Sequence, residues 1–240
     1  MELWEKMSLP EVWQDFLQYK IEKHHLSKRE QKEIEEYIGE QVYLTVLGQM
    51  DSSEYELPIP VKKEVNKSGV AKKRVVYSFP FAFNMLLKMQ AFLLYRYDGM
   101  FADNCYAFRR SYGVKDAVKR IRMIRDVGAK YCLKVDISNY FNSIDVEMLI
   151  DKLVFLKEQD GKIYDFQRAL LESEKVLCNE NGAEYLIREN KGAMAGTPIS
   201  PFWANVYLMD VDRYFQEQGI LYFRYSDDIL IFADSQEELE

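Results

Sequence analysis

The chain has 240 residues, 48% hydrophobic and 14% aromatic, and a formal net charge of −7, enough apolar material for one large domain or two small ones. No apolar run approaches the ~20 residues of a membrane helix, and the opening MELWEKMSLPEVWQDF lacks the basic-then-apolar order of a signal peptide, so the cytoplasm is the expected compartment, with no membrane partner. Cys105, Cys132 and Cys178 are odd in number and widely spaced, which argues against a disulfide framework or a zinc site.

Residues 8–49, rich in Glu, Lys, Leu and Tyr at helical spacings, predict two or more helices. His24 and His25, the only histidines, fall in a charged part of this stretch and are expected to be solvated. DSSEYELPIPV (51–61) breaks the pattern, and IPVKKEVNKSGVAKKRVVYS (59–78) alternates short strand signals around Lys67-Ser68-Gly69, predicting a basic β-hairpin. Residues 81–97 and 112–127 read as helices. KYCLKVDI (130–137) reads as a buried strand with Asp136 near its end. Helices are expected over 146–157 and 164–176, a hairpin over 178–192, and a helix over 201–218 ending before Gly219. Two strand-like runs in LYFRYSDDILIFAD (221–234) bracket Asp227 and Asp228. Helices mixed with short strands indicate α/β or α+β and exclude a simple bundle.

The charge is unevenly spread. Residues 62–130 hold 16 Lys and Arg against 5 Asp and Glu, whereas 1–61 hold 6 against 13 and 131–240 hold 10 against 21. For a single helix such as 115–125 a solvated face is the default; over the whole span the excess suggests a phosphate track.

Three acids stand apart: Asp136 after an apolar strand, and Asp227 with Asp228 at a hairpin tip. A solvated turn explains the adjacent pair on its own. If the two strands are neighbours, about 4.8 Å apart, the carboxylates converge, and clustered acids beside apolar runs repel unless a cation sits between them. Oxygen ligands with no nearby Cys or His suit Mg²⁺, and two such ions activate a 3′-hydroxyl and neutralise a leaving pyrophosphate.

In this order, KVDISNYFNSI, GTPISPFWANVYL and YFRYSDDILIF resemble the successive core motifs of reverse transcriptases, particularly the bacterial group II intron, retron and abortive-infection defence lineages. KKRVVYSFP is similar to the fingers segment and FADNCYAFRRSYGVKDAV to the motif that follows, so the matches run across roughly residues 59–234. The resemblance implies an α+β fold: a right-hand polymerase palm of antiparallel sheet with helices on one face, plus α/β fingers, the thumb absent. It divides the chain into fingers (1–95), a first part of the palm (96–145), a fingers insertion (146–192) and a second part of the palm (193–240).

The implied activity is RNA-directed DNA polymerisation: dNTPs are joined to a DNA or RNA primer on an RNA template, with two Mg²⁺ ions that Mn²⁺ replaces. Asp136, Asp227 and Asp228 match the catalytic, metal-holding acids, and the Ile137 carbonyl would add a ligand. Tyr225 would pack beneath the primer terminus. Phe141 falls where an aromatic ring lies under the incoming sugar and excludes a 2′-hydroxyl. Arg74 would face the triphosphate as a bidentate fork, with Lys62 or Lys63 as a second contact. Lys72, Lys73, Arg109 and Arg110 would touch nucleic acid, with buried structural pairing an equal reading of Arg109.

Two departures matter. Ala195 stands where the family commonly has a nucleotide-touching glutamine, while Gly196 is retained and lets backbone approach nucleotide or template closely; loss of the amide leans toward defence-type members that make untemplated DNA. The chain also stops six residues after Asp234, where the family continues into the rest of the palm and a thumb. Weak or absent polymerisation is therefore expected, with the surface a thumb would cover a candidate for homo-oligomer packing. The alternatives are a non-catalytic, maturase-like RNA-binding scaffold and another two-metal palm enzyme, an RNA-dependent RNA polymerase or a nucleotide cyclase. The cyclase Gly-Gly-Asp/Glu-Glu-Phe loop is missing and Phe141 disfavours ribonucleotides.

Overall fold

The computed structural model describes every residue except 25, 53, 67–72 and 181, and all but the side chain of His24. His25, the predicted turn at Lys67-Ser68-Gly69 and Lys72 therefore lie outside the described residues.

The N-terminal third is helical: α1 (Leu3–Lys6), α2 (Pro10–His24), α3 (Lys28–Gly39) and α4 (Val42–Met50). Ser27 and Glu30 cap α3 reciprocally, the Ser27 hydroxyl accepting the Glu30 N–H at 3.2 Å and the Glu30 carboxylate accepting the Ser27 N–H at 2.9 Å. The apolar stripes of these helices meet on Trp13, which stacks on Tyr43 at 4.8 Å. Asp160, fully buried, ties this end down by accepting the Leu3 N–H at 2.6 Å and the Tyr97 hydroxyl.

Strands β1 (Val61–Asn66) and β2 (Lys73–Ser78) form the predicted hairpin, followed by α5 (Phe81–Leu93), a 3-10 turn (Leu94–Met100), α6 (Val114–Arg122) and β3 (Tyr131–Asp136). After a 3-10 turn at Tyr140–Ser143 come α7 (Val146–Lys152), α8 (Val154–Gln159), α9 (Gly161–Glu172), β4 (Lys175–Glu180), β5 (Ala183–Arg188), α10 (Ser200–Glu217), β6 (Leu221–Tyr225) and β7 (Asp228–Ala233). Two sheets result. One has the order β2-β1-β4-β5, parallel only between β1 and β4; the other, β3-β7-β6, is antiparallel throughout.

Three expectations need correction. The helix expected over 164–176 ends at Glu172, because Val176 is already in β4, where the neighbouring Leu177 N–H donates to the Pro60 carbonyl at 2.9 Å and joins the hairpin to β1. The helix expected over 146–157 breaks at Leu153 into α7 and α8. Strand β3, expected to be buried, is exposed along its length. Among the described residues it is an edge strand with a partner on one side only, and α10 lies over β6 at the other edge.

The contact between α10 and β6 is electrostatic as well as apolar. Arg224, fully buried, donates to Asp212 through Nε at 2.7 Å and through Nη2, while the Tyr222 hydroxyl donates to the same carboxylate at 3.0 Å. Asn205, two turns earlier on α10, accepts from Arg224 Nη1 at 3.3 Å and donates to the Ala107 carbonyl at 2.8 Å. Helix, strand and the 104–107 segment are thereby locked together. All three cysteines are free, and among the described residues no helix is long and apolar enough to cross a membrane.

Removing Asp212 leaves a guanidinium buried and unpaired. Asp212→Ala is expected to lower the unfolding free energy by about 3–5 kcal/mol in a urea titration, and adding Arg224→Met to recover much of that loss.

Candidate active site

The site begins with the pairing of β3 and β7. Their antiparallel register sets Asp136 opposite Asp228, and the Ile137 N–H closes the ladder on the Asp227 carbonyl at 3.2 Å. Ser226 turns the chain between β6 and β7 with φ at 62°, a left-handed position that a short polar residue tolerates. Asp228 thus belongs to the ladder and Asp227 to the turn. The Asp228 carboxylate takes Lys134 at 3.1 Å; this hydrogen bond and the charges of Asp228 and then Asp136 hold the Lys134 ammonium above its usual pKa.

Asp136 and Asp227 line one cleft of about 830 Å³. Its other walls are the Ile137–Asn142 segment, the Ala195–Thr197 loop and residues 73–76 of β2, so Lys73, Arg74, Phe141, Ala195 and Gly196 line it together with the two acids. Phe141 is held edge-on against Phe108 and Tyr140, with ring centroids 6.1 and 5.6 Å away. Lys73 shares its charge with Glu64 at 2.8 Å, a hydrogen bond that raises the Lys73 pKa.

Other predicted residues lie elsewhere. Asp228 is not on the cleft wall, and among the described residues no group of three or more His, Cys, Asp or Glu gathers to hold a metal ion. Tyr225 pairs with Asp228 outside the cleft. The β1–β2 register separates the two candidate lysines: Lys63 shares a hairpin face with Arg74, whereas Lys62 is on the opposite face with Tyr77. There Lys62 and the Tyr77 hydroxyl both bond Glu189, at 2.5 and 2.8 Å. Arg109 is buried and structural, donating to Asp98 and to the carbonyls of Ala102 and Cys105. Arg110 is exposed.

Comparison with known proteins fits this geometry. The family model described as "Reverse transcriptase (RNA-dependent DNA polymerase)" matches residues 62–240. The chain belongs to the reverse transcriptase family. It is 33% identical over 116 residues to the retron Ec83 reverse transcriptase of Escherichia coli, a stretch covering 45% of this chain and 34% of that protein. Its fold is similar to a telomerase from Candida albicans (TM-score 0.54, 13% identity, 84% of this chain and 43% of that one). It is also similar to a chain of a partial Cas6-RT-Cas1–Cas2 complex (TM-score 0.53, 20% identity, 98% and 39%). These likenesses, with the antiparallel β3-β7-β6 sheet, make the fold an α+β polymerase palm. The chain spans about a third of its retron relative and less than half of either structure.

In this chain the cleft is tied together by a residue the motifs did not single out. Asn142, next to Phe141, donates from Nδ2 to the Val75 carbonyl at 3.1 Å and accepts the Ala195 N–H on Oδ1 at 3.0 Å. The Tyr77 N–H bonds the Ala195 carbonyl at 2.7 Å, and the Ala193 N–H bonds the Phe141 carbonyl at 2.7 Å. Strand β2, the Phe141 segment and the 192–196 loop therefore form one unit. Two glycines permit it: a Cβ on Gly192 would sit 2.5 Å from the Phe141 carbonyl oxygen, and one on Gly196 would sit 3.0 Å from Val76 Cβ. Gly196, expected to admit nucleotide or template, thus also admits β2. The one sequence signal for Asn142 was its place beside Phe141.

Lys191 was also missed. It is 2% exposed, its Nζ has no hydrogen-bond partner among the described residues, and burial pushes its pKa down to about 8 against the raising influence of Glu189 and Glu174.

Asn142→Ala strands one backbone donor and one acceptor, and is expected to cost about 1–3 kcal/mol of unfolding free energy by urea titration. Lys191→Met is expected to stabilise the fold by about 1–3 kcal/mol at pH 7. Below pH 8 both folded and unfolded chains hold the Lys191 proton and the burial penalty is complete; between 8 and 10.5 only the unfolded chain holds it, so wild-type stability rises with pH. The advantage of Met over Lys should therefore shrink across that window.

Proposed function

We propose that this chain is the fingers and palm of an RNA-directed DNA polymerase, which joins a dNTP to the 3′-hydroxyl of a primer paired with template RNA. The observation that carries the reading is that Asp136 and Asp227, from distant parts of the sequence, line one cleft with Arg74 and Phe141. The division into fingers (1–95 and 146–192) and palm (96–145 and 193–240) is supported by the sheets: β1, β2, β4 and β5 fall in the former, β3, β6 and β7 in the latter.

The donor set fits a hard divalent cation. Two carboxylates face the cleft with no Cys or His among its lining residues, a set that suits Mg²⁺, or Mn²⁺ in its place, when substrate phosphates and water complete the shell. Asp136, Asp227 and the Ile137 carbonyl would hold it; Asp228, paired with Lys134, would set the charge behind them. Bound there, such ions favour the deprotonated 3′-hydroxyl and offset charge on the departing pyrophosphate. Arg74 grips the triphosphate from β2, bidentate and charge-assisted, with Lys63 on the same hairpin face. Phe141, braced by Tyr140 and Phe108, forms the floor under the sugar, where a 2′-hydroxyl would collide with the ring. The staple through Asn142 keeps floor and clamp at a fixed spacing. Fixed geometry of this kind lowers the barrier by orienting the reactants before they react.

Primer extension on an RNA template with Mg²⁺ or Mn²⁺ tests this. Asp136→Asn and Asp227→Asn should each reduce dNTP incorporation by at least ~100-fold, and Phe141→Ala should raise the use of NTPs relative to dNTPs roughly tenfold. Undiminished extension by the Asp227→Asn protein would refute the assignment.

A further inference from the structure

Outside the cleft, on the hairpin face opposite Arg74, a second set of contacts joins the elements that Asn142 joins from the cleft wall. Glu189, one residue past β5, accepts from Lys62 Nζ at 2.5 Å and from the Tyr77 hydroxyl at 2.8 Å. The Lys62 and Glu189 side chains are only 25% and 23% exposed, so the pair is better shielded than an ordinary surface ion pair. Its base is firm. The Glu189 N–H donates to the Glu174 carbonyl at 3.0 Å, just beyond the β4–β5 ladder that ends at the Lys175–Arg188 pair.

Tyr77 is therefore held at both ends by one short segment. Its N–H donates to the Ala195 carbonyl at 2.7 Å, and its hydroxyl to Glu189, six residues earlier. Burial, and then the bond to Glu189, keep the hydroxyl pKa well above its usual range, so it donates throughout the neutral range. Between the two attachment points lies Lys191, buried, with its Nζ unpartnered among the described residues. Glu189 and then Glu174 act on its charge against the effect of burial. A cation buried at this cost, where an apolar side chain would pack freely, points to a task other than packing.

Arg74 is three residues before Tyr77 on the same strand, and Ala195 leads into the loop of the facing wall. The seating of Tyr77 on residues 189–195 thus sets the gap between the cation on one wall and the loop on the other.

We propose that Glu189 is a positioning residue for nucleotide binding: through Lys62 and Tyr77 it seats the β1–β2 hairpin against the 195–197 loop, and the buried Lys191 ammonium is its second counter-charge. The inference rests on the polymerase reading of the cleft, which Glu189 itself does not line. Asn142 fastens the hairpin from the cleft wall and Glu189 fastens it from outside. With the outer attachment cut, the hairpin keeps its ladder and its Asn142 contact but gains freedom to tilt, and Arg74 meets the triphosphate in a spread of orientations. The loss falls on nucleotide binding more than on the chemical step.

The test compares Glu189→Leu, Glu189→Gln, Tyr77→Phe and Lys191→Met in the whole chain by equilibrium dialysis of dATP with Mn²⁺, primer-extension kinetics and amide hydrogen exchange, with melting temperatures recorded. Glu189→Leu and Tyr77→Phe should each weaken dATP binding and raise the dNTP KM roughly tenfold, with kcat changed less than about twofold. Both should speed exchange of the Tyr77 amide and leave the Ile137 amide, at the end of the β3–β7 ladder, as in wild type. Combining them should cost little more than either alone, because they remove one contact. Glu189→Gln, which still accepts from Tyr77, should recover most of the loss. Lys191→Met should raise KM to a smaller extent while raising the melting temperature, an opposition that a purely structural role does not produce. The proposal is overturned if Tyr77 exchange is unchanged in Glu189→Leu, or if KM merely follows melting temperature across the variants. Failure of the wild-type chain to bind dATP at all would sink the polymerase reading and the positioning role with it, whereas exchange at Tyr77 reports on the Glu189 attachment separately.

Discussion

One backbone hydrogen bond, from the Ile137 N–H to the Asp227 carbonyl, ends the β3–β7 ladder where the cleft begins. Everything chemical in the molecule depends on that register. A slip of one residue would exchange Asp136 for Val135 or Ile137 on the cleft side and turn the apolar set of β7 outward. The register is held from the far side of the sheet, because β6 is anchored to α10 by Arg224 and Asp212 and passes its position to β7 through the tight Ser226–Asp227 turn. The same pair reaches the turn directly, Arg224 Nη1 donating to the Ser226 carbonyl at 3.2 Å, and so helps decide where Asp227 points.

The charge arrangement is asymmetric in a way that packing does not demand. Asp136 and Asp228 are directly opposed across two strands, an unfavourable pairing for like charges. Lys134, two residues before Asp136 on the same face, offsets the repulsion by taking Asp228. Among the described residues no salt bridge is made by Asp227. Charge is thus offset at Asp228, outside the cleft, while Asp136 and Asp227 line the cleft and β2 brings Arg74 to its wall.

Where local pattern decides structure, the sequence was legible. The alternating runs on either side of Lys67–Gly69 became β1 and β2, and the two acids at a strand end and a hairpin tip came to adjacent strands. Where a distant partner decides, it was not. Val176, expected to end a helix, lies in a strand with Leu177 and Cys178, and the choice was made by Pro60 and β1, more than a hundred residues away. The apolar run of β3 looks the same in a buried strand and an edge strand, since exposure depends on what covers it. Lys62 and Lys63 are neighbours in sequence but on opposite hairpin faces, because side chains alternate, and Lys62 is taken by Glu189. Lys191 sits in a polar string whose composition suggests a solvated turn; it is buried because Gly192 presses the loop onto Phe141.

That same loop bears on the substitution of Ala195 for the family's glutamine. Residue 195 is held through its backbone at both ends, N–H to Asn142 and carbonyl to the Tyr77 N–H. Its placement owes nothing to its side chain, so the missing amide removes a reaching group while the scaffold around it stands. With only a methyl at this point of the wall, the cleft offers shape but no side-chain donor there. Shape selection of this kind discriminates less steeply than a buried hydrogen bond left unpaired by the wrong substrate.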